Sequence, residues 1–267
     1  MTALPAALIV PSAAWAAMTV VMVFAWLFQR RAGNGGWIDV FWTFGTGITC
    51  FAAALWPLEG GLTARQALVA FLVGLWSFRL GVYIAWRVAS SAEDVRYVEL
   101  KRAWGQTFQT RLLRFILWQP PVSALLALSV HAASHAAGSL GLRDLAGLLV
   151  LAIAIAGETL ADEQMRRYRR LSDRPPVMDK GLWGRSRHPN YFFEWLTWMA
   201  LPIIAFLPLE PATWLTLLAP AVMYLVLRYG TGVPMLEKSM LARKGYAFQR
   251  YQQQVNVFFP SLRTRPT

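Results

Sequence analysis

Several carboxylates stand inside apolar stretches of this sequence, where a charge is costly unless it has a partner or a task. Asp39 and Glu194 each follow bulky apolar residues, and Glu158 and Asp162 lie four residues apart in one long apolar run. A spacing of four puts both side chains on one helical face. Charges inside a membrane segment mark a functional site by default, and the alternative is an ion pair that orients helices, such as Asp39 with Arg79.

The densest polar signal in the chain is residues 180–195, which read KGLWGRSRHPNYFFEW. Pro189 ends any preceding helix and suits the first turn of the next one. The free backbone N–H groups of such a turn form a natural anion site. Because Arg185, Arg187 and His188 stand just before it, the segment predicts recognition of a phosphate.

A cluster of arginines follows the acidic pair at 158 and 162. It consists of Arg166, Arg167, Arg169, Arg170 and Arg174. Acids that lead into a row of arginines suit a ligand with hydroxyl or amide groups at one end and phosphates at the other. The alternative is a helix end whose basic residues are favoured by the helix dipole and by anionic lipid.

The composition excludes a soluble globular domain and a disordered chain. Of the 267 residues, 56% are hydrophobic and 15% are charged, against roughly 45–50% and about 25% in globular domains. Disordered chains are poorer still in apolar residues. The single cysteine, Cys50, excludes an internal disulfide and a cysteine-cluster metal site. These features indicate a protein whose solvent is the lipid bilayer.

Seven stretches are long and apolar enough to cross a membrane, which takes about 20 residues. They are residues 8–29, 37–56, 66–86, 113–133, 145–162, 191–208 and 212–232. The fourth carries Pro120-Pro121 near its middle and is predicted to kink or break there. The predicted fold is therefore an all-α polytopic membrane protein.

Basic residues are distributed very unevenly among the connections. The segments 30–31, 87–111, 163–190 and 233–267 hold 21 Lys and Arg residues, whereas 57–65 and 134–144 hold 2. Because positive residues collect on the cytoplasmic side, the sequence predicts an external N-terminus and a cytoplasmic C-terminus. This placement accounts for most of the net charge of +12. No nucleic-acid partner is expected, since the sequence has no recognised nucleic-acid-binding fold.

A single membrane domain is predicted over residues 1–267. Three polar connections on the cytoplasmic side, 87–111, 163–190 and 233–267, are too short to form cores of their own. They contain several aromatic residues, which argues against disorder. We therefore expect them to fold together as a cap over the cytoplasmic end of the helices.

Shorter motifs accompany the signature that runs from Gly181 through His188-Pro189-Asn190-Tyr191 to Glu194-Trp195. They are Asp39 with Trp42, Trp76 with Arg79-Leu80, Glu93-Asp94-x-Arg96-Tyr97, Glu158 with Asp162 and Gln164, Glu237-Lys238, and Phe258-Phe259-Pro260. Together these residues resemble the steroid 5-alpha-reductase-like membrane family, and in particular its bacterial branch. The resemblance covers residues 37–262, and the wider superfamily also contains sterol reductases and isoprenylcysteine carboxyl methyltransferases.

The resemblance implies a seven-helix membrane reductase of lipid metabolism in a bacterial inner membrane. NADPH would enter from the cytoplasm, and a lipophilic enone, steroid-like or isoprenoid, would enter from the bilayer. A hydride would pass to the carbon beta to the carbonyl, while a proton donor polarises the carbonyl oxygen. The expected partners are thus this small-molecule substrate and membrane lipid.

The resemblance also implies roles for individual residues. Asn190 and Glu194 match positions near the nicotinamide amide of the cofactor. Asp162, Arg166 and Arg169 match positions that contact the adenosine and the phosphates. The other predicted cofactor-binding residues, which include aromatic side chains expected to pack near the cofactor, are Arg79, Glu158, Arg185, Arg187, His188, Tyr191 and Trp198.

The catalytic groups depart from those of the animal enzymes, which carry a Gln-Glu pair in the second span and a tyrosine in the third. Here no glutamine precedes Asp39, and Trp76 stands where the tyrosine is expected, with Tyr83 two turns on. An indole offers a hydrogen bond but no transferable proton. The proton donor therefore lies among Asp39, Tyr83 and Tyr97, and the predicted catalytic set is Asp39, Tyr83 and Glu194.

Two other functions compete with the reductase. A membrane methyltransferase of the isoprenylcysteine carboxyl type would bind S-adenosylmethionine, which has no phosphate, so the arginine run favours a dinucleotide instead. A non-catalytic carrier would be expected to show charges at the bilayer midplane and inverted halves. The i,i+4 pair His131 and His135 has the spacing of metal ligands but no acid near it in sequence, and we predict no metal site.

Overall fold

The computed structural model describes residues 3–57 and 61–261. Within these ranges the protein is all-helical, with 79% helix and no strand. The predicted all-α class is confirmed. The two ends of the chain, including residues 262–267 of the third predicted cap segment, lie outside the described ranges.

Eleven α-helices and three short 3-10 helices make up the described residues. The α-helices are α1 (Ala3–Ala32), α2 (Gly36–Ala54), α3 (Ala64–Ser90), α4 (Val95–Trp104), α5 (Phe108–Ile116), α6 (Gln119–Ser134), α7 (Leu142–Arg170), α8 (Pro189–Ala205), α9 (Leu218–Tyr229), α10 (Val233–Lys244) and α11 (Tyr246–Gln254). The 3-10 helices are Gly105–Thr107, Gly181–Gly184 and Pro211–Leu217.

Five helical segments of the described chain are long and apolar enough to cross a membrane. They are Ala6–Ala32, Ala64–Ser90, Val95–Ser134, Leu142–Arg170 and Pro211–Lys244. An integral membrane protein is thereby supported. The spans predicted at 37–56 and 191–208 exist as α2 and α8, but these helices have 19 and 17 residues and are not among the five. The count of seven spans therefore stays a prediction.

The predicted break at Pro120-Pro121 is confirmed. The helix α5 ends at Ile116, and α6 begins at Gln119 with both prolines in its first turn. A proline lacks a backbone N–H, and the first turn of a helix is the place where that N–H would have no partner.

Large apolar side chains remain exposed on the long helices. Val20 of α1 and Phe78 of α3 have 71% and 66% of their surface exposed. Exposed apolar patches of this kind mark surfaces that contact membrane or protein. On helices of spanning length, they indicate faces that contact lipid.

The chain divides into two compact units, which we describe separately. Unit 1 comprises residues 1–147 and 201–222, and unit 2 comprises residues 148–200 and 223–267. In unit 1, α2 and α3 meet at small residues, since a Cβ atom at Gly47 would collide with Ser77. Thr46 of α2 and Ser123 of α6 share a hydrogen bond of 2.8 Å. Close backbone approach and hydrogen bonds between helices are what hold helices together in lipid.

Unit 1 also contains a buried ion pair between Arg65 and Asp144. The guanidinium donates to both carboxylate oxygens at 2.9 and 3.0 Å. It also donates to the four carbonyl oxygens of residues 136–139 at 2.7 to 3.0 Å. The positive charge of Arg65 is thus surrounded by oxygen acceptors of the protein. These hydrogen bonds fix the connection between α6 and α7.

The two histidines of α6 lie against each other, with ring centroids 3.9 Å apart. His131 Nδ1 is 3.1 Å from the carbonyl oxygen of Ala53, and His135 Nε2 is 3.1 Å from that of Trp56. Both rings are thus bonded to the end of α2 and the residues after it. This is a structural role for the i,i+4 pair.

Candidate functional site

Two helices of unit 2 approach each other so closely that only a glycine fits between them. A Cβ atom at Gly157 of α7 would collide with the ring of Phe193 of α8. Their neighbours in sequence, Glu158 and Glu194, are buried, with 4% and 5% of their surface exposed. Asp162, one turn after Glu158, is buried as well. Unit 2 therefore holds three of the four acids that the sequence singles out.

The first two turns of α8 carry the predicted nicotinamide residues. The helix begins at Pro189, as predicted, and this places Asn190 in its first turn, where it is half-buried. One turn on, Glu194 Oε1 accepts a hydrogen bond of 3.1 Å from the indole N–H of Trp198. That bond orients a buried carboxylate on the same helix as the Asn190 amide.

The signature segment folds back onto α7. Gly181 has a φ of +61°, and a Cβ atom there would also be too close to the amide of Gln164. The backbone N–H of Leu182 donates to Gln164 Oε1 at 3.0 Å, and the indole of Trp183 donates to the carbonyl of Ala161 at 3.0 Å. The segment is therefore fixed beside the residues that precede the arginine cluster.

Glu237 of α10 gathers three donors around one carboxylate. Its Oε1 accepts from Arg187 Nε at 2.7 Å and lies 3.0 Å from His188 Nε2, and its Oε2 accepts from Gln252 at 2.8 Å. Arg187 donates in addition to the carbonyl oxygens of Gln252 and Val255. The guanidinium predicted to bind phosphate is thus engaged within the protein.

His188 is buried beneath this network. Burial lowers the pKa of His188 below its ordinary value, although the Glu237 carboxylate acts in the opposite direction. The ring stacks on Tyr191, with centroids 5.6 Å apart and an angle of 10° between the planes. His188 therefore helps to hold the first turn of α8.

Residues 256–261, which follow α11, pair with the same segment through their backbone. Arg187 N donates to the carbonyl of Asn256 at 2.8 Å, and Ser261 N donates to that of Arg185 at 2.9 Å. Ser186 Oγ donates to the carbonyl of Phe258 at 2.7 Å. The predicted cap segment 163–190 and the described part of the segment 233–267, which ends at residue 261, therefore pack together in unit 2.

Asp39 in unit 1 is bonded to the first turn of α4. Its Oδ1 accepts from the Tyr97 hydroxyl at 2.9 Å, and its Oδ2 accepts from Arg96 at 2.6 Å. The pairing of Asp39 with Arg79 suggested by the sequence is wrong, because both carboxylate oxygens are taken by residues of the Glu93-Asp94-x-Arg96-Tyr97 element. Tyr97 is 3% exposed, and its ring lies against the backbone of Gly35.

The two acids of that element fix it to the start of α2. Glu93 accepts from the backbone N–H of Gly35 at 2.6 Å and from Lys101 Nζ at 2.7 and 2.8 Å. Burial opposes the ionisation of Asp94, but the charge and hydrogen bonds of Arg96 outweigh it and lower the pKa of Asp94 to about 2. The element thus holds Asp39 in a fixed polar setting.

The sequence was compared with known protein families, curated proteins and solved structures. A family model described as a protein of unknown function, DUF1295, matches residues 25–255. The chain belongs to the DUF1295 family. This family is in the steroid 5-alpha-reductase-like group, so the predicted resemblance is confirmed at the level of the group. No curated protein and no solved structure matches the chain significantly.

The arginines of this DUF1295 protein fall into two classes. Arg166 and Arg167 both pair with the carboxylate of Glu163. The members of the second class are exposed and form no ion pair within the described residues. They are Arg169, Arg170, Arg174 and Arg185. Of the four arginines predicted to bind phosphate in unit 2, two therefore already have an acidic partner and two do not.

Tyr83 of the DUF1295 chain lies beside two guanidinium groups. The Cζ atoms of Arg79 and Arg87 are 5.5 and 5.9 Å from the centroid of its ring. Trp76, Arg79 and Tyr83 are spaced by three and four residues and so share one face of α3. Trp76, which stands where the animal enzymes have a tyrosine, therefore lies on the same face of α3 as Tyr83.

Trp42 presents a buried indole N–H that no described residue accepts. Its ring packs edge-on against Trp76, with centroids 6.5 Å apart, and Nε1 has no hydrogen-bond partner in the described part of the chain. A buried donor without a partner costs about 1–3 kcal/mol. A ligand oxygen that accepts from this indole recovers that energy, so Trp42 marks a place where a carbonyl can bind.

Sequence reasoning missed two of these residues. The sequence motif that contains Glu237 did not reveal that this carboxylate binds Arg187. Glu237 is nevertheless the only acidic residue after Glu210, in a basic stretch of sequence. That isolation is a signal that it has basic partners elsewhere in the chain. For the indole of Trp42 no sequence signal exists, because its missing partner is a property of the packing.

Proposed function

We propose that this DUF1295 protein is a membrane-embedded reductase that uses NADPH to saturate a carbon–carbon double bond conjugated to a carbonyl. The substrate would be lipophilic, steroid-like or isoprenoid, and would enter from the bilayer. The observation that carries the proposal is the combination, within unit 2, of buried carboxylates with exposed arginines that have no acidic partner among the described residues.

The donor and acceptor groups of unit 2 fit a dinucleotide. Carboxylates accept hydrogen bonds from hydroxyl and amide groups, and Glu158, Asp162 and Glu194 supply them in a buried setting. One guanidinium group can donate two parallel hydrogen bonds to the oxygens of a phosphate. Arg169 and Arg185 are exposed and can bind phosphate in this way. S-adenosylmethionine carries no phosphate and leaves the arginines without a role.

Bound NADPH would supply the hydride, and the protein would orient the nicotinamide ring. In this proposal Asn190 binds the carboxamide together with Glu194, whose position is fixed by Trp198. Holding two reacting groups in a near-attack arrangement supplies several kcal/mol of barrier reduction, about 7–11 kcal/mol in the best cases.

The three candidate proton donors, Asp39, Tyr83 and Tyr97, belong to unit 1. The Trp42 indole would donate a hydrogen bond to the carbonyl oxygen and polarise it. Tyr97 already donates its hydroxyl to Asp39, and both Asp39 oxygens accept hydrogen bonds, so neither group suits the delivery of a proton. Of the three candidates we assign the proton to Tyr83, because the guanidinium groups of Arg79 and Arg87 lie beside its ring and would stabilise the phenolate that remains. Asp39 and Tyr97 are positioning residues.

A titration of the purified protein tests the cofactor assignment. NADPH, NADH and S-adenosylmethionine are titrated separately into the protein in detergent, with tryptophan fluorescence as the readout. We expect NADPH to bind more tightly than NADH, which lacks the 2′-phosphate, and no binding of S-adenosylmethionine. Binding of S-adenosylmethionine without binding of NADPH would overturn the proposal.

Variants locate the phosphates in the same titration. Arg169→Ala and Arg185→Ala should each weaken NADPH binding about tenfold, since one charge-assisted hydrogen bond is worth about 1.5 kcal/mol or more. The matched control is Arg250→Ala, which removes another exposed arginine of unit 2. An unchanged affinity in the Arg169/Arg185 double variant would reject this assignment.

A turnover assay tests the proton donor. NADPH oxidation is followed by absorbance with a set of enone lipids, and mass spectrometry detects the gain of two hydrogens in the product. Tyr83→Phe retains the ring beside both guanidiniums and should lower turnover about 100-fold or more at unchanged NADPH affinity. Wild-type turnover in Tyr83→Phe would show that this donor is wrong.

A further inference from the structure

The helix α5 in unit 1 has one buried face and one charged face. Phe108, Leu112 and Ile116 lie four residues apart and are buried, with 6% or less of their surface exposed. Arg111 and Arg114 are exposed; Arg114 lies opposite the buried residues and Arg111 at the edge of the buried face. A short helix with this pattern is typical of segments that lie along the surface of a membrane.

Contacts with α1 place α5 at the end of a membrane span. The side chain of Gln109 bonds that of Gln29 at 2.8 Å, and its carbonyl accepts from the Trp26 indole at 3.0 Å. These two residues lie in the last turns of α1, whose Phe24 and Leu27 are exposed apolar side chains. Arg30 and Arg31 lie in the last turn of the helix. Because lipid-facing residues give way to arginines here, α5 lies at the level of the lipid headgroups.

An exposed tryptophan also supports the placement of α5 at the level of the lipid headgroups. Trp118 follows α5 directly, and 79% of its surface is exposed. Tryptophan is enriched at the boundary between lipid and water, where its ring meets the headgroups. The end of α5 is thus followed directly by an interface residue.

The charges on α5 have no acidic partner in the part of the chain that the structure describes. Arg111 and Arg114 form no ion pair within the described residues, and the sequence of α5 contains no acid. Other basic residues of unit 1 do have carboxylate partners, such as Arg96 with Asp39 and Lys101 with Glu93. The arginines of α5 are therefore left to bind an anion outside the chain.

We propose that Arg111 and Arg114 form a binding site for the phosphate groups of anionic phospholipids. A guanidinium binds phosphate through two parallel hydrogen bonds, and anionic lipids concentrate basic segments at the cytoplasmic membrane surface. The lipid, rather than a free phosphate, is the occupant because the helix is attached to the lipid-facing end of α1. This inference is independent of the proposed reductase activity.

Native mass spectrometry of the full-length protein in detergent tests the proposal. Phosphatidylglycerol and phosphatidylcholine are titrated separately, and the bound lipids are counted. We expect phosphatidylglycerol to bind more tightly. Each basic residue near an anionic surface strengthens binding about fivefold, so R111Q with R114Q should weaken phosphatidylglycerol binding about 25-fold and leave phosphatidylcholine binding unchanged.

The matched control removes the same charge from unit 2. Arg243 and Arg250 are exposed and lie outside α5, so R243Q with R250Q should retain phosphatidylglycerol binding. An equal loss in both double variants would show that only net charge matters and would overturn the site. Unchanged binding in the α5 variant would overturn it as well. A melting curve without added lipid, expected to match the wild type, excludes misfolding as the cause.

Discussion

The carboxylate of Glu237 is the feature of unit 2 whose removal has the most predictable effect. Glu237→Gln keeps the shape of the side chain and one acceptor oxygen. It removes the negative charge beside Arg187 and places an NH₂ group where Arg187 or Gln252 now donates. A donor facing a donor is repulsive, so the variant loses more than one hydrogen bond.

The magnitude follows from the burial of the pair. The side chains of Arg187 and Glu237 are 11% and 14% exposed, and the Nε–Oε1 distance is 2.7 Å. Breaking a buried ion pair by removing one partner costs about 3–5 kcal/mol, because the remaining charge is left uncompensated. The two hydrogen bonds from Arg187 to the carbonyl oxygens of Gln252 and Val255 survive, so we expect a loss near the lower end, about 3 kcal/mol.

Thermal unfolding in detergent measures this loss. A change of about 3 kcal/mol lowers Tm by about 6–12 °C in a chain of this size. The matched control is Glu163→Gln, which removes a carboxylate that also pairs with two arginines but on the surface of α7. Its Tm should equal that of the wild type, because surface pairs add little.

A double variant separates the ion pair from general damage. If the cost of Glu237→Gln arises from the unpaired Arg187 charge, then adding Arg187→Gln should restore part of the lost stability. Additive losses in the double variant, or a Glu237→Gln protein that melts like the wild type, would refute the reasoning.

Three further predictions rest on single contacts or on charge placement. Asp144→Asn should lower the unfolding free energy by about 3 kcal/mol, since it leaves the buried Arg65 charge without its carboxylate, and chemical denaturation checks this. Reporter fusions at residues 140 and 210 should read as external, and a cytoplasmic reading at 140 would reject the proposed orientation. Because burial lowers the pKa of His188 below 6.5, the unfolded chain binds the proton first. The stability should therefore fall as the pH drops below about 6.5, and His188→Gln should remove that part of the pH dependence.

Features set by local chain chemistry could be predicted from the sequence. The break before α6 and the start of α8 both follow from proline, whose ring and missing N–H act within one turn. The span count could not be confirmed for α2, which holds Gly36, Gly45 and Gly47. Gly36 and Gly47 allow close packing against α3, and Gly45 allows it against α1. These glycines and the charged Asp39 lower the hydropathy by which a spanning helix is recognised.

The partner of Asp39 could not be predicted, because it depends on the path of the chain between helices. Arg79 has a similar predicted depth, and depth was the only criterion that the sequence offered. In the structure Asp39 bonds Arg96, which lies in α4 beyond a short connection held by Glu93. The partner of Glu237 could not be predicted for the same reason, since Arg187 is fifty residues away in sequence and only the path of the chain brings the two together.

Counting charges along the chain also treats unlike arginines as equal. Of the basic residues in 163–190, Arg166 and Arg187 have a carboxylate within hydrogen-bond distance, and a phosphate would have to compete with it. Arg169 and Arg185 offer their full donor capacity without losing an internal contact. Phosphate binding at these two gains a charge-assisted interaction, whereas at Arg187 one such interaction would replace another. Arg187 therefore contributes mainly to the fold of the signature segment. In the proposed binding of a dinucleotide, the energy would come from the arginines that have no acidic partner among the described residues.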